Sequence, residues 1–152
     1  MDRCLHGGAV SLREDVVFAA RNELGRRRQP QYDESALGPG VHDRPAHWCG
    51  IFALYCLHEA GLARDICWQI GGGFVRENPQ AFPVTISPHP GDIGVQTHPP
   101  WHHVLVAERS GNLLTTIAGN TGPSPGVVGE STASVADPGW CWYSIEPVEA
   151  VP

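Results

Sequence analysis

From Trp48 to Leu57 the chain carries no charged side chain. A helix that is apolar on every side must lie at the centre of a fold, so the rest of the chain has to pack around this segment. A polar, proline-bearing loop, Val41-His42-Asp43-Arg44-Pro45, precedes it, and Gly61 supplies the left-handed position that ends helices. The expected helix therefore opens at Cys49. A thiol on a first turn faces unpaired backbone N–H groups and the positive end of the helix dipole, and both favour the thiolate. A buried free cysteine is also an ordinary core residue, and for Cys49 taken alone the two readings stand side by side. Cys56 is read as core. It lies seven residues further along the same face, ~10 Å along the axis, too far for a disulfide to Cys49.

A length of 152 residues suits one domain, and 41% apolar against 17% charged residues marks it as globular. A single domain over 1–152 is expected, with 1–10 as a loose lead-in. The 18 glycines and 14 prolines call for many turns, so helices cannot dominate. Net charge is −6 and every basic residue is an arginine. An acidic chain without a basic face is a poor nucleic-acid binder, so no nucleic-acid partner is expected. Arg26-Arg27-Arg28 reads as a solvated helix end. The five cysteines, Cys4, Cys49, Cys56, Cys67 and Cys141, are odd in number and contain no CxxC pair, which gives no disulfide framework. There is no apolar leader segment and no run of membrane-spanning length. The expectation is synthesis in the cytoplasm and no membrane insertion. Action elsewhere would then need a route other than a secretory signal peptide.

Ser11-Leu12-Arg13-Glu14 is a capping box. The helix it opens places Leu12, Val16, Val17, Ala20 and Leu24 on one stripe before Gly25. Residues 26–45 read as a polar connection rich in proline and glycine. After the cysteine helix, Leu62–Trp68 predicts a short helix ended by Gly71-Gly72-Gly73. Residues 74–90, with Pro79, Pro83, Pro88 and Pro90, predict irregular loop. Strands are expected at Gly91–Val95, His103–Glu108, Leu113–Ala118 and Trp140–Ile145, with a long loop over 121–139. Helices first and an antiparallel sheet second make an α+β chain.

Gly111-Asn112 suits a two-residue hairpin turn. Ser110 then faces Leu113, and counting back along both strands brings His103 opposite Asn120, with Cβ atoms ~5 Å apart. The carboxamide oxygen can accept from one ring nitrogen, which sets the tautomer and leaves the other nitrogen as a base. One residue more or less in either strand would break this pairing. Alternation sends His102 to the opposite face. Taken singly, His103 reads equally as an ordinary strand-start histidine, and Asn120, followed by Thr121-Gly122, as turn chemistry. In chain order the three residues give Cys-His-Asn, the constellation of papain-like hydrolases.

Four blocks carry a family resemblance: Trp48-Cys49-Gly50-Ile51-Phe52, Pro90-Gly91-Asp92-Ile93, His103-Val104-Leu105-Val106 and Ile117-Ala118-Gly119-Asn120-Thr121. In order and spacing they resemble CHAP domains, the cysteine- and histidine-dependent amidohydrolase/peptidases grouped with NlpC-type enzymes in the papain-like superfamily. The resemblance spans about residues 11–146. It implies a papain-like α+β fold with the cysteine helix packed on a small, barrel-like antiparallel sheet. It also implies cleavage of amide bonds in peptidoglycan, with Cys49 as nucleophile, His103 as base and Asn120 orienting the histidine. Many members carry an acidic residue two positions before that asparagine, where this chain has Ala118. Glu108 falls on the wrong face of its strand to replace it, and Asp92 reads as a turn or capping residue.

The expected chemistry needs no metal or other cofactor. The Cys49 N–H would be one oxyanion donor, with Tyr32 and His47 as places to look for a second. Trp48, Trp101 and His102, with the loops at 74–90 and 121–139, are candidate substrate-groove walls; the two tryptophans read equally well as core or loop anchors. A stand-alone hydrolase of this kind suits a phage lysin, or an antibacterial effector with its delivery machinery and an immunity protein, acting on the wall as a monomer. The rival readings are a zinc-binding module, prompted by His98, His102 and His103, and a catalytically inactive wall-binding or structural module of the same fold.

Overall fold

The computed structural model describes residues 11–40, 45–68, 74–99, 101–123 and 126–146. The expected lead-in at 1–10, most of the loop before Cys49 and the glycine run 71–73 lie outside these. Within them the chain is α+β, with three helices and a six-stranded antiparallel sheet. The helices are α1 (Leu12–Arg21), α2 (Pro30–Leu37) and α3 (Cys49–Glu59). The strands are β1 (Val84–Thr85), β2 (Ile93–Gln96), β3 (His103–Ser110), β4 (Leu113–Thr121), β5 (Val127–Ser134) and β6 (Trp140–Tyr143). The sheet order is β1-β6-β2-β3-β4-β5, an open sheet with β1 and β5 at its edges.

Helix α3 opens at Cys49, as its sequence requires, and every residue from Cys49 to Leu57 is buried. It touches α1, α2, β3 and β4. Its end is a Schellman motif: the Leu62 N–H donates to the Leu57 carbonyl at 2.9 Å and the Gly61 N–H to the His58 carbonyl at 3.0 Å, with Gly61 at φ +83°. The chain does not restart a helix at Leu62–Trp68. Ala63 takes φ +52°, and both the Ala63 and Ile66 carbonyls lie within 3.0 Å of His58 Nε2. The His58 imidazole thus binds carbonyls that a helix would have used itself.

Helix α1 begins at the capping box, where Ser11 Oγ accepts from the Glu14 N–H at 3.3 Å. Val16, Ala19 and Ala20 are buried, while Leu12 and Leu24 are exposed, so the apolar stripe is narrower than its periodicity suggests. Past the helix, the Gly25 N–H donates to the Val128 carbonyl and the Val128 N–H to the Arg26 carbonyl, which ties the chain to the sheet edge at β5. Three expected loops contain elements. Strand β1 (Val84–Thr85) lies within 74–90, where it pairs with β6 despite the prolines around it. Helix α2 lies within 26–45: Pro30 starts it, and Tyr32, Asp33 and Ala36 are buried. Strand β5 lies within 121–139; only Val128 in it is buried, so its apolar signal is weak.

Asp92 is a structural clasp. It is 1% exposed, and its carboxylate accepts from Arg13 Nη1 at 2.6 Å and from the backbone N–H groups of His89 and Ile145. Glu23, also buried, accepts from the Tyr32 hydroxyl at 2.9 Å and the Tyr55 hydroxyl at 3.3 Å, joining the loop after α1 to α2 and α3. The Arg28 guanidinium grips Asp33 and donates to the Pro45 carbonyl at 2.8 Å, so α2 holds the chain just before α3.

The main core lies between the helices and one sheet face, lined by Ile93, Val95, Leu105, Ile117 and Val128. Val104, Val106, Leu114, Ala118 and Trp142 form a smaller cluster on the other face. The helix layer comes closest at Gly119, where a Cβ would sit 2.7 Å from Phe52 Cβ and from the Trp48 ring. Gly119→Ala should therefore lower stability by roughly 1–3 kcal/mol through overpacking, read as a lower midpoint with unchanged slope in urea denaturation. A variant as stable as wild type would show that helix and sheet do not meet there.

Candidate active site

Strand β3 begins where α3 begins. The His103 backbone N–H donates to Cys49 Sγ at 3.4 Å, and the ring Nδ1 lies 3.9 Å from the same sulfur. Two residues 54 apart in sequence are thus joined at the entry points of their elements.

Burial decides the charges of this pair. Cys49 is 4% exposed and His103 5%. Burial pushes the Cys49 thiol up, and the N–H groups of His103, Gly50 and Cys49 itself pull it down by less. The helix start does not outweigh desolvation, contrary to the expected thiolate. Burial also lowers His103 to about 4; the Trp101 carbonyl, accepting from the ring, opposes this, and nearby His102 and Arg76 add to it. Near neutral pH the free protein therefore holds a thiol beside a neutral imidazole.

The Asn120 expectation fails at the register. Ser110 pairs with Leu113 across the Gly111-Asn112 turn as expected, but a bulge between Val106 and Glu108 shifts the ladder, so that Leu105 pairs with Ile117. Continued to the strand start, that register puts Gly119, not Asn120, opposite His103. Asn120 adopts φ +57° at a second irregularity, between β4 and β5, and its Oδ1 lies against Gly126. No hydrogen bond joins its carboxamide to His103 among the described residues. The imidazole is oriented by other groups. Phe74 stacks on it at 5.9 Å, Trp68 meets it edge-on at 5.6 Å, and the Trp101 carbonyl accepts from it. Trp68 also lies across the Gly50 backbone, where any Cβ would collide with it. Trp68 and Phe74 thus cover the imidazole, and Trp68 also covers the backbone next to Cys49. Neither has a local sequence signal: both flank a glycine run, and only the fold brings them to β3.

The other site candidates separate. Trp48 is 2% exposed and stacks on Tyr32 at 6.0 Å, so it is a core anchor rather than a groove wall. Tyr32 is fully buried with its hydroxyl committed to Glu23, which removes it as an oxyanion donor. His47 is exposed, close enough to His102 to lower its pKa, an effect secondary to burial. His102 lies against Trp140 on the opposite side of the strand from His103. Trp101 is 40% exposed, takes φ +52°, and has the Arg76 guanidinium over its ring at 4.7 Å. His98 Nδ1 contacts Thr97 Oγ1. Among the described residues no three His, Cys, Asp or Glu side chains converge on a point that could hold a metal ion. A cavity of about 580 Å³ lined by Ile66, Asn78, Phe82 and Ile145 includes neither Cys49 nor His103. No helix among the described residues is long and apolar enough to cross a membrane.

Two expectations follow from the burial. An unfolded chain takes up a proton on His103 near pH 6.5, which the folded ring refuses until about 4. The stability from this group is complete above pH 6.5 and is lost as pH falls to about 4, by roughly 3 kcal/mol at most. His103→Gln should flatten the fall in unfolding free energy between pH 6.5 and 4; an unchanged slope would mean that the ring is solvated. Alkylation by iodoacetamide, followed by peptide mass spectrometry, should be slow at Cys49 relative to exposed Cys67, and Trp68→Ala should speed it at Cys49 alone.

No family model matches this sequence, and no curated protein does. Among solved structures, one described as the crystal structure of Ly7917 aligns with a TM-score of 0.49 and 15% identity, over 88% of this chain and 62% of its own. This chain therefore spans less than two thirds of that one.

Proposed function

We propose that the protein is a papain-like cysteine hydrolase, a member of the CHAP/NlpC group, that cleaves amide bonds in bacterial peptidoglycan. The observation that carries the reading is the approach of Cys49 Sγ to His103 Nδ1 at a helix start. The sequence resemblance supplies the substrate class. His103 takes the thiol proton as sulfur attacks the amide carbonyl, which puts the ion pair in the transition state rather than in the resting protein. The oxyanion forms beside the amides at the start of α3, where each donor is worth ~3 kcal/mol. The tetrahedral adduct collapses and expels the amine, which takes its proton from His103. Water, deprotonated by the same ring, opens the thioester to a carboxylate and restores the thiol. Cys49 is 4% exposed, so reaching the sulfur requires the residues around it to open. Release as a phage lysin, or delivery as an antibacterial effector with a cognate immunity protein, suits such an activity.

The burial of both groups favours one rival, an inactive module of the same fold in which Cys49 and His103 are core. Purified sacculi incubated with wild type and with Cys49→Ala distinguish the two. Wild type should release fragments identifiable by mass spectrometry, Cys49→Ala none, and His103→Ala should be slower by ~10²-fold or more. The acid limb of the wild-type rate should fall near pH 4, where the buried imidazole protonates, rather than near 6.5. Equal release by wild type and Cys49→Ala would remove the nucleophile, and no release by any of them would leave the inactive module.

A further inference from the structure

We infer that Arg76, stacked on Trp101 beside the Cys49–His103 pair, is the anion-recognising subsite of the groove and takes a carboxylate of the substrate. This deepens the proposed function and rests on it for the location of the groove.

Trp101 is a bulky residue held at positive φ, a strained conformation that persists where the surroundings enforce it. Here they do. Its N–H donates to the His98 carbonyl at 3.1 Å, and its own carbonyl accepts from the His103 ring. The backbone that orients the imidazole thereby also turns the indole outward, 40% exposed. The Arg76 guanidinium lies over that indole at 4.7 Å. A guanidinium stacked by its face keeps its N–H donors in its own plane; one meets the Tyr143 hydroxyl, another edge is left for bidentate bonding to a carboxylate, and the ring beneath restricts its freedom before any ligand arrives.

The charge of Arg76 is uncompensated within the described residues. Arg13, Arg21, Arg26 and Arg28 each hold a carboxylate, on Asp92, Glu108, Glu23 and Asp33. Arg76 pairs with no carboxylate among the described residues, and neither do Arg27, Arg64 and Arg109; what sets Arg76 apart is the indole beneath it and its hydrogen bond to the Tyr143 hydroxyl. Its neighbour Glu77 lines the separate cavity with Ile66 and Phe82. Arg76 is also close enough to His103 and to the Tyr143 hydroxyl to influence their protonation, which places it at the rim of the pair rather than on a remote surface. Peptide stems of the wall carry free or amidated carboxyl groups. A lone arginine here would favour the free form, because a carboxamide offers one acceptor oxygen where a carboxylate offers two and a charge.

The test separates binding from turnover. Muramyl dipeptide with free carboxyl groups, and the same compound with its carboxyl groups amidated, are titrated into the Cys49→Ala protein by calorimetry. The free-carboxylate form should bind ~10-fold more tightly. Arg76→Gln should abolish the preference and Arg76→Lys retain part of it, with Arg64→Gln, another exposed arginine, as an unchanged control. Tryptophan fluorescence should change on binding in the parent and not in Trp101→Phe. Equal affinity for the two forms, no binding of either, or a preference that survives Arg76→Gln overturns the subsite. A preference without release of fragments from sacculi keeps the subsite and removes the hydrolase. Release without a preference does the reverse.

Discussion

The first turn of α3 rests on the sheet at a point where no side chain would fit. Gly119 leaves the space that Phe52 and Trp48 occupy, and this lets the helix come down far enough for the Cys49 sulfur to meet the start of β3. Interior packing is close to crystalline, so a displacement of one carbon-atom width at such a contact is transmitted to its neighbours. The sulfur–imidazole approach follows from that contact. Arg28, holding the Pro45 carbonyl, and Glu23, holding Tyr32 and Tyr55, keep the helix from the other side.

The same burial that brings the pair together sets its charge state. A helix start and three N–H groups favour a thiolate, but they act on a sulfur removed from water, and desolvation is the larger effect. His103 is driven in the complementary direction. A neutral pair can still perform nucleophilic chemistry if proton transfer accompanies attack, and covers that move with the substrate would let it happen only when the site is occupied. Trp68 and Phe74 pack on the imidazole and orient it where an asparagine was expected to.

Around the pair, the aromatic residues divide by face. Trp48 is core on the helix side, Trp140 and Trp142 stack on one another across the sheet from it, and Trp101 alone among them stands open beside His103. Its strained backbone meets the imidazole through one carbonyl, so the residue beneath Arg76 also contacts His103.

The elements with strong local signals were legible in the sequence: α3 from its unbroken apolar run and Gly61, α1 from its capping box, and the β3–β4 hairpin from Gly111-Asn112. The juxtaposition of Cys49 and His103 was legible from the Cys-His-Asn order and the family resemblance, and the fold brings the two side chains to 3.9 Å. Strand β1, helix α2 and strand β5 were not legible; each buries few of its residues, and the polar, Gly/Pro-rich sequence around them resembles a loop. The third member of the site was lost to one residue. The bulge between Val106 and Glu108 has no sequence signature, since it arises from how β3 bends between its two neighbours, yet it replaces Asn120 by Gly119 opposite the imidazole. Local pattern settles where a helix or strand begins. Register, burial and the aromatic cover over His103 depend on residues far apart in the chain, and only their packing together decides them.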